Sequence, residues 1–147
     1  LKLTLQQITS GSDEVIVRYR ELNEEIEEII RRIKQHSDRI YAACDGQAVI
    51  LRPDDILYLE SVDERVWAYT AKVTASVPLT LAAAERMYAD CGFFRCSKSM
   101  VINIFHIEYL RSIPGGRVDV TMDNGEHVVI SRRYVKALRS VLKGESQ

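Results

Sequence analysis

Long apolar runs are missing from this chain. Nowhere does it hold the roughly 18 consecutive apolar residues that a membrane-spanning helix needs. The opening Leu1-Lys2-Leu3-Thr4-Leu5 alternates apolar and polar residues and has no signal-peptide core, so the expected location is the cytoplasm. Cysteine is scarce as well. Cys44, Cys91 and Cys96 are odd in number and match no paired metal-ligand spacing, which favours reduced thiols over a disulfide framework or a zinc cage. Histidine occurs only at His36, His106 and His127, too scattered to suggest a ligand set. There is no phosphate-binding glycine loop, zinc-protease helix or nucleophile elbow. The carboxylates of Asp54-Asp55 and Asp63-Glu64 fall in expected turns, where solvation accounts for them. With no catalytic constellation left, an enzyme is not expected, and neither is a cofactor. Internal repeats and low-complexity tracts are also absent, so 147 residues make one domain, or one domain with a modest extension.

What the chain does have is an uneven charge distribution. Residues 1–92 carry 11 Lys and Arg against 16 Asp and Glu, whereas residues 93–143 carry 9 against 4. A basic back half points to an anionic partner, of which a polyanion is the commonest. A merely solvated basic face is the competing explanation.

The first 38 residues read as a small β-β-α extension. Leu1–Ile8 alternates as a strand, Thr9–Asp13 breaks it, and Glu14–Tyr19 is a second strand rich in β-branched residues. Asn23 can cap a helix whose Leu22, Ile26, Ile29, Ile30 and Ile33 share one face. Glutamates crowd its start and Arg31, Arg32 and Lys34 its end, which suits the dipole and sets up Glu27–Arg31 and Glu28–Arg32 pairs. The apolar face fits either its own strands or a second copy of the chain. Gln35–Asp38 is the expected linker.

From Ile40 the texture changes to short strands at close spacing: Ile40–Ala43, Ala48–Leu51, Ile56–Glu60, Val66–Thr70 and Lys72–Val77. Asp45-Gly46 marks a tight turn, Thr80 caps a short helix, and Gly92 ends it. Pro114-Gly115-Gly116 turns the chain into a strand over Arg117–Met122. Asn124-Gly125 then signals a hairpin returning through His127–Ile130.

Two features do not suit a core. Between the apolar runs of Gly92–Leu110 stand Arg95, Ser97, Lys98 and Ser99, and burying one unpaired cation there costs several kcal/mol. The segment therefore reads as two short strands holding a basic, hydroxyl-rich corner to solvent. The last helix, expected to be capped by Ser131, opens with Arg132 and Arg133, and cations at a helix N-terminus oppose its dipole. The same end offers free N–H groups suited to phosphate, so an external anion explains the pair best; internal carboxylate pairing is the alternative. With Arg65, these make three basic loops on a β-rich scaffold, able to follow a duplex if they share an edge. The other reading is a protein-interaction module whose basic face docks an acidic protein.

Tyr58-Leu59-Glu60-Ser61, Phe94–Asn103, His106-Ile107, Gly115-Gly116-Arg117, Asn124-Gly125-Glu126 and Ser131–Val135 occur in that order. Together they resemble the LytTR family of bacterial DNA-binding domains, over roughly Ile40 to Leu142. The resemblance implies a mainly β fold with short helices, an elongated stack of β-sheets whose loops enter successive major grooves of a repeated promoter site and bend the DNA. It divides the chain into the extension, 1–38, a candidate self-association element, and a DNA-binding domain, 39–143. Carried over by position, the DNA-facing places are Arg65, the Ser97-Lys98-Ser99 corner and Ser131-Arg132-Arg133. Lys98 and Arg133 match the groove positions, with Ser131 and Arg132 supporting them on phosphates. Asn103 and Ile107 match structural positions, and Cys96 a core one. The first loop departs from the pattern, since Asp63 and Glu64 precede Arg65 where many relatives are more basic. Most full-length relatives carry a receiver domain ahead of this module; the roughly 40 residues here resemble instead the stand-alone regulators. Such proteins imply promoter direct repeats as partner, a homodimer at least on DNA, and in some cases a small regulatory membrane protein.

Overall fold

The computed structural model describes residues 1–37 and 39–144 and divides the chain into two compact units, residues 1–36 and 37–147. In the first unit the helix forms as expected: α1 spans Glu24–Ser37, and the Asn23 side chain caps it by accepting from the Ile26 N–H at 3.0 Å. Glu28 pairs with Arg32 at 2.9 Å and with Arg31 as well, taking the cation expected to pair with Glu27. The Arg32 hydrogen bond and the nearby Arg31 charge hold the Glu28 carboxyl below the usual carboxylate range. The expected linker residues Gln35–Ser37 continue the helix, and Asp38 lies outside the described residues.

The two strands expected before α1 do not form. Residues 1–8 and 14–19 have no ladder partner among the described residues, and Leu1, Leu3 and Leu5 are more than four-fifths exposed. An isolated two-stranded hairpin is marginal in water, and alternation alone cannot supply the third strand or packed face that would stabilise it.

The second unit is built from ten antiparallel strands. They are β1 (Ile40–Cys44), β2 (Gln47–Leu51), β3 (Ile56–Val62), β4 (Arg65–Thr70), β5 (Thr74–Val77), β6 (Phe93–Ser97), β7 (Met100–Asn103), β8 (Ile107–Ile113), β9 (Arg117–Met122) and β10 (His127–Ile130). Helix α2 (Leu81–Met87) lies between β5 and β6, and α3 (Arg132–Leu142) follows β10. The first seven strands form one sheet in the order β2-β1-β5-β4-β3-β7-β6, and the last three form a second, β10-β9-β8. Thr80 caps α2 as its sequence position suggests, accepting from the Ala83 N–H at 3.0 Å. The strand β8 was not legible beforehand; its residues are mostly exposed, with no clean alternation to mark them.

Two cores explain the uninterrupted apolar runs. Ile56, Leu59, Phe93 and Val101 enter a core with β1, β4, β5 and α2. Their neighbours Leu57, Phe94 and Ile102 face the opposite way, onto β9, β10 and Leu138 of α3. Strands β3, β7 and β6 are therefore packed on both faces, so hydrophobic pairs such as Val101-Ile102 replace the alternation of a half-exposed strand.

Three polar contacts link the second sheet to the first. The Tyr58 hydroxyl donates to Glu126 at 2.6 Å, and burial together with that carboxylate pushes the phenol well above its usual range. His106 approaches the Asp123 carboxylate through Nδ1 at 2.6 Å and the Asp54 carbonyl through Nε2 at 2.5 Å. Burial alone would lower the His106 pKa, but the Asp54 carbonyl and the charges of Asp123 and Asp55 outweigh it and raise it. The stabilisation this histidine gives is therefore complete below the unfolded-state pKa, about 6.5, and is lost as pH rises through the higher folded value. Between pH 6 and 8.5 the thermal midpoint should fall more steeply for the parent than for His106→Gln; parallel pH profiles would contradict the raised pKa.

Candidate nucleic-acid interface

The middle loop is the turn between β6 and β7. Ser97 pairs with Met100, so Lys98 and Ser99 alone make the reversal. Two-residue hairpins normally use turns with positive φ, yet neither residue has one. Other contacts brace the tip instead. The Arg95 guanidinium donates to the Ser97 carbonyl at 2.8 Å and to the Lys98 carbonyl at 2.6 Å. Ser97 Oγ accepts from the Ser99 N–H at 3.3 Å. One residue earlier, the register slips between Arg95 and Ser97, a bulge that sends Cys96 fully into the second core. Burial pushes the Cys96 thiol up to about 12, so it remains an unreactive packing residue.

Arg95 thus acts inward, and its role is mechanical and electrostatic together. It covers two carbonyl dipoles that would otherwise repel an anion, leaving Lys98 and the Ser99 hydroxyl outermost. If this edge meets a duplex, Arg95→Gln should bind it about 1–2 kcal/mol more weakly, the scale of charge-assisted hydrogen bonds in a partly exposed setting, with little change in thermal midpoint. Fluorescence anisotropy on one duplex at fixed salt measures this, and an unchanged affinity would remove Arg95 from the site.

The other two loops meet this turn through backbone hydrogen bonds. The Ser61 N–H donates to the Ser99 carbonyl at 2.8 Å, setting the tip of the β3–β4 hairpin beside the corner. Val62 pairs with Arg65, so that tip is Asp63-Glu64, with φ of 51° and 64°. Both residues occupy the left-handed region that favours glycine. On the other side, the Ser131 N–H donates to the Cys96 carbonyl at 3.0 Å, fixing the start of α3 one residue from Ser97. Ser131 holds the N-cap position, but its side chain makes no capping bond, and no acidic residue stands in the first turn.

All seven candidate residues therefore lie in or beside three chain reversals that these backbone bonds join. Arg65, Lys98, Arg132 and Arg133 are exposed, and none has a carboxylate partner among the described residues, which answers the internal-pairing alternative. Arg133 lies over the Tyr134 ring at 5.7 Å, and its charge stays accessible. Arg132 packs its stem against the β8–β9 turn. Gly116 has φ +73°, a conformation that favours glycine, and a Cβ there would stand 2.8 Å from Arg132 Cδ, so the arginine stem would have to shift. The sequence places Arg95 in a solvent-facing corner and Gly116 in a turn, and shows neither the brace nor the contact with Arg132. Arg95 was visible as a cation between apolar runs, but no spacing rule reveals a side chain folding back on its own turn. Among the described residues no group of His, Cys, Asp or Glu is arranged to hold a metal ion.

A β-module whose exposed cations gather at its chain reversals suits a nucleic-acid backbone. The family model for the LytTr DNA-binding domain matches residues 46–143, and the chain belongs to that family. The solved LytTr DNA-binding domain from Bacillus cereus superposes with a TM-score of 0.68 at 23% identity, covering 71% of this chain and 96% of that one. The sensory transduction protein LytT of Bacillus subtilis is 24% identical over 143 residues, 94% of this chain and 59% of its own length. Its Bacillus anthracis counterpart is 30% identical over 95 residues, 65% of this chain and 39% of that protein. An uncharacterized HTH-type transcriptional regulator of Staphylococcus aureus is 24% identical over 123 residues, 82% of this chain and 83% of its own length. The chain thus spans about 39% to 59% of the LytT proteins it matches. It is a DNA-binding module with a mainly β fold, from a family defined by DNA binding and not by catalysis.

Proposed function

We propose that this protein is a sequence-specific regulator of transcription whose three loops enter successive major grooves of a repeated promoter site. The observation that carries this is the pair of backbone bonds, Ser61 to Ser99 and Ser131 to Cys96, that holds three loops with unpaired cations along one edge. Lys98 and Arg133 read bases, most simply guanine O6 and N7. Ser97, Ser99, Ser131 and Arg132 fix the register on phosphates, and Arg65 is the outer contact beside the acidic Asp63-Glu64 tip. Selection of bound sites from a random duplex library tests the whole reading. It should return a repeated motif and steeply salt-dependent binding, whereas an unenriched pool with salt-insensitive binding to an acidic protein would support the interaction module instead.

The same proposal assigns residues 39–143 to DNA and residues 1–38 to self-association, giving a homodimer on direct repeats. Charge order supports it. In α1 the acidic Glu24, Glu25 and Glu27 precede Arg31, Arg32 and Lys34, so two copies laid antiparallel set opposite charges against each other and parallel copies do not. Leu22 beside the stripe, and Leu3, Leu5, Val15 and Ile16 before it, are exposed apolar residues a second copy would cover. In sedimentation the full chain should run as a dimer and the chain lacking residues 1–38 as a monomer; an unchanged oligomeric state would rule the assignment out. A regulatory membrane-protein partner remains part of the proposal by family analogy, and among the described residues no helix is long and apolar enough to cross a membrane.

A further inference from the structure

The candidate loops use only the first turn of α3, yet the cations continue along the helix. At 100° per residue, Arg132, Lys136, Arg139 and Lys143 fall within an arc of about 60°. Tyr134, Val135 and Leu138 point elsewhere, into the second core. All four cations are exposed, and none has a carboxylate partner among the described residues. The chain from Arg132 to Lys143 contains no acidic residue at all. In α1 the analogous i, i+4 places hold glutamate against arginine; in α3 they hold like charges that repel. The helix also begins with two cations against its dipole. A surface arranged only for its own stability would not combine these features.

The stripe forms one wall of an open cleft. Gly116 and the β8–β9 turn form the other, close against the stem of Arg132, and Val135 lies in the floor. Arg139 is steadied by donating to Ser112 Oγ at 3.2 Å on β8. From Arg132 to Lys143 the helix rises about 16 Å, the length of roughly five phosphates along one strand. The near end of the stripe, Arg132, already belongs to the DNA-facing edge.

We infer that Lys136, Arg139 and Lys143 extend that edge as a sequence-independent phosphate track, gripping the duplex backbone that flanks the bases read by the loops. This rests on the DNA-binding reading above and adds a contact surface to it. The test uses the full chain, the motif returned by random-duplex selection, and the triple variant Lys136→Gln, Arg139→Gln, Lys143→Gln. Glutamine keeps helix propensity, and an unchanged thermal midpoint confirms folding. Binding is followed by anisotropy across a salt series on a long duplex and on one trimmed to the motif. The triple variant should flatten the log–log salt slope by about 2–3, near 0.9 per lost contact. It should also bind about ten- to a hundredfold more weakly at physiological salt, while its preference for the motif over scrambled duplex is unchanged. Trimming should weaken the parent and leave the triple variant unaffected. Arg86→Gln on α2, at a cation outside both surfaces, controls for loss of charge alone. If the triple variant keeps the parental slope and both respond alike to trimming, the track is wrong while the loop site stands. If the parent binds no duplex at all, the DNA reading itself fails and the track with it.

Discussion

Replacing Lys98 or Arg133 by alanine is expected to weaken binding to the selected motif by about 1–3 kcal/mol each, the usual worth of one good base contact. The loss should be specific, with affinity for scrambled duplex changing far less. Arg132→Ala should behave differently, weakening all sequences alike and flattening the salt dependence by roughly one contact. The two base-reading positions should also interact. Lys98 sits two residues from Cys96, whose carbonyl holds the Ser131 N–H, and Arg133 follows two residues later. Displacing one loop therefore tilts the other, and the double variant should lose less than the sum of the single losses. Groups in one connected network commonly couple by 0.5 kcal/mol or more, roughly the size needed to see this in a double-mutant cycle. Unchanged motif affinity for both single variants at fixed salt would remove them from the site.

The second large effect concerns stability. Asn103 is 2% exposed at the end of β7, and both ends of its amide are used. Nδ2 donates to the Ile56 carbonyl at 2.9 Å, and Oδ1 accepts from the Phe105 N–H at 3.1 Å. The site is tight as well: a Cβ on Gly92 would come within 2.7 Å of that oxygen. Asn103→Ala strips partners from one buried carbonyl and one N–H at once and leaves a small void. About 2–4 kcal/mol of folding stability should be lost, from two unsatisfied groups at roughly 1–3 kcal/mol each. Denaturant unfolding measures it. A loss below 1 kcal/mol would mean that water replaces the amide. DNA affinity of the folded fraction should be nearly intact, because Asn103 lies at the far end of β7 from the Lys98 turn. Stability and binding are in this way separable by position along one strand.

Much of the second unit was legible because its signals are local. Asp45-Gly46 set a hairpin, Thr80 a cap, and Lys98 and the cations at 132–133 marked solvent-facing ends among apolar residues. The basic corner followed from desolvation cost alone, with no knowledge of topology. The convergence of the loops was not legible, since it depends on two backbone hydrogen bonds between segments 38 and 35 residues apart in sequence. The ordered family motifs supplied what spacing could not. At the N-terminus the local reading failed for the opposite reason. Leu1–Ile8 has the pattern of a strand, but a strand is a relation between chains of atoms, and nothing among the described residues completes it.

Packing β3, β7 and β6 on both faces has a consequence for how this module can change. Successive residues of these strands enter opposite cores, so a change anywhere along them disturbs one core or the other. Lys98, Ser99, Arg132 and Arg133 are exposed. Target preference can therefore drift, in evolution or by engineering, through a few exposed positions while the frame beneath stays fixed. The same partition limits that freedom at Arg95 and Gly116, where altering a turn means altering how it is held.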